Sequence, residues 1–270
     1  MTTMRRQFRF GAVTAVRGPA SAWADEARRL EGDGYSTILV PDTLWTPSPF
    51  PALAAAAAGT TTLRLGTWVI ASPLRRPAEV VREAKTLQDL SGGRLELGIG
   101  AGRPGGERDA EALGVEWGGA GARVTQVEAT LTAVRAMDPA PWVVIAGSGD
   151  RMLSIAGRLA DTLALPTPPT ADAAAIAALA ERVHERAGDV ELALQLTGVG
   201  DDIPDWLRHR QGLTPEGLRE GGSATMLSGD VERDIQTLVQ LRDATGVSYL
   251  TVPGELTTQL APLVARLAGV

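Results

Sequence analysis

The chain has no cysteine among its 270 residues. Disulfides, zinc–thiolate centres, iron–sulfur clusters and cysteine nucleophiles are therefore excluded. Only two histidines occur, His184 and His209, which argues against multi-histidine metal sites. Basic charge is also short. The 26 Lys and Arg stand against 32 Asp and Glu, for a formal net charge of −6, the reverse of a nucleic-acid binder's footprint. No long apolar run is present. The longest, Pro51 to Gly59, is mostly alanine and far too short to span a bilayer. The basic residues of Met1–Phe10 have no apolar stretch behind them, so they do not read as a secretory signal. These absences point to a cytoplasmic protein with neither nucleic-acid nor membrane partners. The length is close to the roughly 250 residues of an α/β barrel.

What is present is an alternation of short apolar runs with helical patterns. Phe8–Val13, Thr37–Val40, Leu63–Ala71, Arg94–Gly100, Trp142–Ala146, Asp161–Leu165, Glu191–Thr197 and Ser248–Val252 read as strands. Between them lie amphipathic stretches such as Val80, Val81, Ala84, Leu87 and Leu90, with Pro77 suited to a first turn and Gly92-Gly93 to a stop. Ser21 and Asp230 read as helix starts. Eight strand–helix units imply parallel strands with right-handed crossovers, and they fit a single-domain (β/α)8 TIM barrel. An open doubly wound sheet is the alternative, but the turn after the first strand, Gly11–Pro19, has no G-x-G-x-x-G. The segment 198–227, after strand 7, breaks the rhythm and reads as an insertion.

In such a barrel the chemistry belongs at the C-terminal ends of the strands. Strand 5 ends in Ala146-Gly147-Ser148-Gly149, which runs into a helix. Free amides and the helix dipole there favour a phosphate, although glycines also serve simply to make a tight turn. Strand 4 ends in Gly98-Ile99-Gly100-Ala101-Gly102-Arg103, which either offers a flat wall to a planar ring or packs closely at the rim. Asp42 ends strand 2, as an acid–base group or as a cap for the amides after Pro41. Trp68 either lines a pocket or belongs to the core. Arg75 and Arg76 either meet an anion or are solvated. No nucleophile triad or P-loop appears. A site so short of acid–base groups suggests a borrowed cofactor.

Taken together, several stretches resemble the luciferase-like monooxygenase superfamily. They are Gly34-Tyr35, Val40-Pro41-Asp42, Leu63–Thr67, Leu87–Gly102, Ala112-Leu113-Gly114, Arg123, Ala146–Leu153 and Ala160-Asp161. Leu90–Gly102 is the most specific of these, and the resemblance covers roughly the first 165 residues. Within the superfamily the chain is most similar to the coenzyme F420-dependent oxidoreductases. The resemblance implies a (β/α)8 barrel and a deazaflavin or flavin at the strand ends. It also implies a non-prolyl cis peptide in strand 3, at Thr67–Trp68 or, preferably, Trp68–Val69. Gly100, Ala101 and Gly102 would then edge the ring, with Thr67, Trp68, Val69 and Arg103 also in the cofactor site. Gly147, Ser148 and Gly149 would hold the phosphate, with Ala146 beside them in the cofactor site, and 198–227 would cover the substrate. A homodimer is the corresponding family-level expectation.

Three departures stand out. Thr43 occupies a position where relatives often carry His, Arg103 replaces a Glu acid of sugar-phosphate dehydrogenases, and Arg76 replaces a His. The sequence thus leads to an F420-dependent oxidoreductase acting on a small organic molecule. Asp42, Thr43, His209 or water are its candidate proton donors, and Arg75, Arg76, Arg103 and Arg151 its candidate anion contacts. A reduced-FMN monooxygenase and a non-catalytic barrel are the alternatives.

Overall fold

The computed structural model describes residues 6–270. The reading of the basic N-terminus therefore falls partly outside the described residues. Eight barrel strands follow one another: β1 (Arg9–Val13), β2 (Thr37–Val40), β3 (Arg64–Thr67, resuming at Ile70–Ala71), β4 (Leu95–Gly100), β5 (Trp142–Ala146), β6 (Thr162–Ala164), β7 (Glu191–Gln195) and β8 (Val247–Pro253). Each pairs in parallel with the next, and β8 returns to β1 with Phe10 opposite Leu250. The sheet is closed, and the open-sheet alternative is ruled out.

The outer layer forms because each helix turns one apolar stripe inward. In α1 (Ala20–Gly32) Trp23, Ala27 and Leu30 are buried, and α2 (Pro49–Gly59) is apolar almost throughout. In α3 (Pro77–Leu90) Val80, Ala84 and Leu87 are buried, with Pro77 in the first turn as expected. Short α4 (Glu107–Leu113) precedes α5 (Ala120–Arg135), α6 (Asp150–Leu159) and α7 (Ala173–Ala187). Segment 198–227 holds α8 (Asp205–Gln211), α9 (Pro215–Glu220) and a two-residue parallel pairing of Gly198–Val199 with Met226–Leu227. The chain ends in α10 (Val231–Thr245) and α11 (Thr257–Leu267). No helix among the described residues is long and apolar enough to cross a membrane.

Asp230 caps α10 as expected, accepting the Arg233 N–H at 2.9 Å. Ser21 does not cap α1. The extended Pro19 begins the helix, and Ser21 lies inside its first turn. At the other end of α1, Glu31 Oε1 accepts the N–H groups of Thr61, Thr62 and Leu63 and the Thr62 hydroxyl, tying α1 to the loop before β3. Burial pushes its carboxyl up, but the hydrogen bonds from Thr62, Leu63 and Thr61 outweigh it and bring the pKa down to about 2. A depressed pKa stabilises the fold above the ordinary value of 4.5, and the contribution is lost as pH falls towards 2. Glu31→Gln should therefore lower Tm by about 2–4 °C at pH 7. It should also flatten the Tm–pH curve of the parent over that acid range, as followed by circular dichroism.

The barrel interior is layered. Leu95, Leu97 and Ile99 face the helices, so the alternate residues Glu96, Gly98 and Gly100 point inward. The middle of the barrel is filled by Leu39, Val144, Ala164, Ala193 and Tyr249. The strand starts instead enclose an ionic cluster. Arg9 lies between Glu96 (2.9 Å) and Glu191 (2.6 Å), with its guanidinium 3.4 Å from the centre of the Tyr249 ring. Arg64 also reaches Glu96, at 3.3 Å, and Thr162 donates to Glu191. The cluster closes the end of the barrel opposite the catalytic face.

Candidate active site at the C-terminal mouth of the barrel

The mouth is shaped by the interruption of β3. The peptide between Trp68 and Val69 is cis, where the sequence reading preferred it. Thr67 is wholly buried beside it. Its hydroxyl donates to the Gly98 carbonyl at 2.7 Å and accepts the Gly98 N–H at 2.9 Å, fastening the bulge to β4. A Cβ at Gly98 would lie 2.1 Å from the Thr67 carbonyl oxygen, so glycine is required there. Thr67 thus acts on the shape of the site from behind and does not line it. Thr67→Val keeps the volume but removes both hydrogen bonds from buried partners. It should cost about 1–3 kcal/mol in urea unfolding.

Two adjoining lobes open beyond this bulge and share Trp68, Val69, Ala146 and Pro166. The first, about 410 Å³, brings together Asp42, Thr43, Trp68, Val69, Gly100, Ala101, Gly102, Arg103, Ala146 and Gly147 from four different strand ends. Ser148 and Gly149 lie just outside it. Gly149 stands at the N-terminus of α6, where no side chain caps the free amides. Arg123 holds the rim by donating to the Ala101 and Gly118 carbonyls at 2.9 and 2.8 Å.

The charged groups are more engaged than their sequence positions imply. Both oxygens of Asp42 accept from Arg75, at 2.7 and 2.8 Å, and Oδ2 also lies 3.3 Å from the Ala71 N–H. Asp42 therefore clamps the resumed part of β3. The amides after Pro41 are not its partners, and Arg75 is bound before any ligand arrives. The Thr43 hydroxyl is 2.8 Å from that of Thr46. Arg151 turns to Gly121, Thr125 and Glu128 on α5, away from the glycines. Arg103 pairs with Asp109 and lies 4.5 Å from the Trp45 ring centre, while Arg210 lies 5.0 Å from the same ring. Arg76 is exposed, 4.0 Å from Glu79. His209 is exposed on α8 and lines neither lobe.

Three features were not anticipated. Trp117 packs directly on the rim, since a Cβ at Gly102 or Gly106 would come within 2.4 Å of its ring. The close-packing reading of this glycine rim thus holds at Gly102, while Gly100 still faces the lobe. The second feature is Gln195, at the end of β7, which accepts the Trp68 indole N–H at 3.4 Å. The third is Trp206 of α8, which lines the second lobe. The phase of β7 could have flagged Gln195, because Glu191, Ala193 and Gln195 share one face and Glu191 points inward. Trp117 sits in a loop and Trp206 on the short helix α8, neither with enough repeats for a periodicity to be read.

A family model described as luciferase-like monooxygenase matches residues 6–202. The chain belongs to the luciferase-like monooxygenase family. The match runs past the first 165 residues that carried the resemblance and takes in β7. Over 108 residues, 40% of the chain, it is 28% identical to 5,10-methylenetetrahydromethanopterin reductase of Methanolobus tindarius. Over 91 residues, 30% of the chain, it is 37% identical to 4-hydroxyprotoasukamycin monooxygenase of Streptomyces nodosus subsp. asukaensis. The chain spans only 32% and 24% of those two relatives' own lengths. Its fold superposes on coenzyme F420-dependent tetrahydromethanopterin reductase of Methanopyrus kandleri with a TM-score of 0.74 and 15% identity, covering 97% of this chain and 99% of that one. The luciferase-like family comprises oxidoreductases and monooxygenases acting on small molecules, and relatives of both reaction types appear among the matches.

Proposed function

We propose that the protein is an oxidoreductase that passes a hydride between coenzyme F420 and a small organic substrate at the barrel mouth. The observation that carries this reading is the scarcity of free acid–base groups around a cavity of cofactor size. Asp42 is held on both oxygens by Arg75, and the Thr43 hydroxyl faces Thr46. A chamber of about 410 Å³ is within the range of small-molecule sites. Such a site suits a reaction in which a bound group brings the reactivity and the protein brings alignment.

The residues present fit a phosphate-bearing tricyclic ring. Gly100 and Ala101 offer backbone without bulky side chains. A Cβ at Gly149 would meet nothing within 4 Å, so a phosphate can approach the first amides of α6. When bound, the deazaflavin supplies the hydride carrier. The Asp42–Arg75 clamp keeps β3 and its bulge in place behind the ring. Val69 is packed so close to Gly100 that an added Cβ would lie 3.3 Å from it. Trp68 and Pro166 border both lobes, with Val69 and Ala146. Arg103 is the guanidinium nearest the ring lobe, and exposed Arg76 is available to an anionic tail. Asp42 or Thr43 would deliver a proton only by leaving its present partner. We further read segment 198–227 as the cover over the substrate, and the active unit as a cytoplasmic homodimer.

The alternative, a monooxygenase using reduced FMN, draws support from the stretch 37% identical to a monooxygenase. Titrating the protein with F420 and with FMN, each followed by its ring fluorescence, separates the readings. Saturable binding of F420 with at least tenfold weaker FMN is the expected result. The reverse order would assign the site to FMN, and no binding of either would identify a barrel that has lost catalysis.

A further inference from the structure

We infer that the second lobe accepts an uncharged, flat and mainly apolar substrate bearing a hydrogen-bond acceptor, which Gln195 orients. This rests on the adjoining lobe being the redox site. The lobe measures about 360 Å³. Its walls are built from Trp68, Leu165, Pro166, Trp206 and Leu207, and no ionisable side chain lines it. Two aromatic walls and a proline edge favour a planar guest.

The polar side chains on the lobe are Thr167, Gln195, Thr197, Gln211 and Thr225, and they are unequal: Gln211 is exposed to solvent at the end of α8, and Thr167 is half-buried on the loop after β6. Thr197 and Thr225 are buried and hydrogen-bond to each other through their hydroxyls, and Thr225 also lies 3.3 Å from the Ser223 hydroxyl. Their hydroxyls are thus already engaged with one another and with Ser223. Gln195 is different. Its carbonyl oxygen accepts from the Trp68 indole at 3.4 Å, which sets the orientation of the amide. Its NH2 group then has no protein partner among the described residues, and it belongs to a residue that borders the lobe. Such a group donates to a carbonyl, ether or hydroxyl oxygen of the guest.

Charge is selected against by the same inventory. A carboxylate or phosphate would give up its water with no cation in the lobe to compensate, which weakens binding about 100-fold or more against a neutral counterpart. Because Trp68 borders both lobes, a guest held by Gln195 lies against the indole that adjoins the redox chamber. Gln195 thereby sets which atom of the substrate faces the cofactor.

The test uses the full chain, without added cofactor, and two dyes: the neutral naphthyl ketone Prodan and anionic anilinonaphthalene sulfonate. Prodan should bind saturably with a blue-shifted emission, and the anionic dye about 100-fold more weakly. Gln195→Leu should weaken Prodan about tenfold, the effect of one lost hydrogen bond. Trp206→Ala, which only opens the roof, should weaken it by a similar factor and so locate the dye. Equal affinity for the two dyes would overturn the inference, as would Prodan binding that neither substitution changes. F420 and FMN titrations of the same samples are read separately. Loss of cofactor binding with the dye pattern intact would overturn the redox reading alone.

Discussion

Glu96→Ala is expected to destabilise the protein by about 3–5 kcal/mol, the largest effect of any single change outside the mouth. Glu96 is completely buried at the closed end of the barrel, where it meets Arg9 at 2.9 Å and Arg64 at 3.3 Å. Removing it leaves Arg9, whose side chain is 19% exposed, with Glu191 alone and with a cavity beside it. The cluster then holds two cations, Arg9 and Arg64, against the single carboxylate of Glu191, and this uncompensated charge is the costly case. Burial pushes the Glu96 carboxyl up, but the charge and hydrogen bond of Arg9, helped by Arg64, hold it below the ordinary carboxylate value. The sign follows directly. A depressed folded-state pKa contributes stability above the unfolded-state value of about 4.5, and that contribution is lost as pH falls through the lower folded-state value. Urea unfolding at pH 7 and at pH 4 measures both effects. The substitution should cost most at pH 7, and its variant should respond less to acid than the parent. A cost below about 1 kcal/mol at pH 7 would mean that Arg9 is served by Glu191 and solvent alone.

That cluster also shows how the sequence encodes more than its apolar pattern reveals at first pass. The eight strands are legible because parallel barrel strands are short apolar runs, and their order follows from strict strand–helix alternation. Within Leu95–Gly100 the phase carries further information. Leucine and isoleucine alternate with Glu, Gly and Gly, so a carboxylate must point into the barrel. An inward charge needs a partner, and Arg9 at the same level of β1 answers it, with Glu191 at the start of β7. None of this depends on neighbours in sequence, because Arg9 and Glu191 are joined only by closure of the barrel.

The mouth divides along the same line. Its glycine edges were readable because backbone approach requires small residues wherever the neighbours happen to lie. The partners of the charged groups were not. Asp42 and Arg75 are separated by a helix and a strand, and their pairing exists only because β2 and β3 are adjacent. The same holds for Trp68 and Gln195, which stand on opposite sides of the barrel axis and meet across its opening. Arg151 illustrates the converse. It is a candidate anion contact by its charge, but its side chain turns back onto α5.

Ala146→Phe is expected to reduce cofactor affinity by about 100-fold or more while leaving the barrel folded. Ala146 is the last residue of β5, half-buried, and it borders both lobes at the point where they join. It packs against the interior cluster containing Tyr249 and Val144, beside Trp68. A phenyl ring there has open space above it and would take up the volume that a tricyclic ring needs. The overpacking cost is about 1–3 kcal/mol if the ring is forced inward, and less if it turns into the cavity. Fluorescence titration with F420 and FMN, alongside thermal unfolding, tests this. A variant that unfolds within a few degrees of the parent yet no longer binds either cofactor places the ring at the junction of the lobes. Unchanged affinity in a folded variant would remove the cofactor from the mouth. Trp206→Ala supplies the contrast, because Trp206 lines only the far lobe and its loss should leave cofactor affinity within about twofold. A substrate-lobe change that leaves the cofactor bound, set beside a junction change that expels it, would separate alignment from binding as the protein's two contributions.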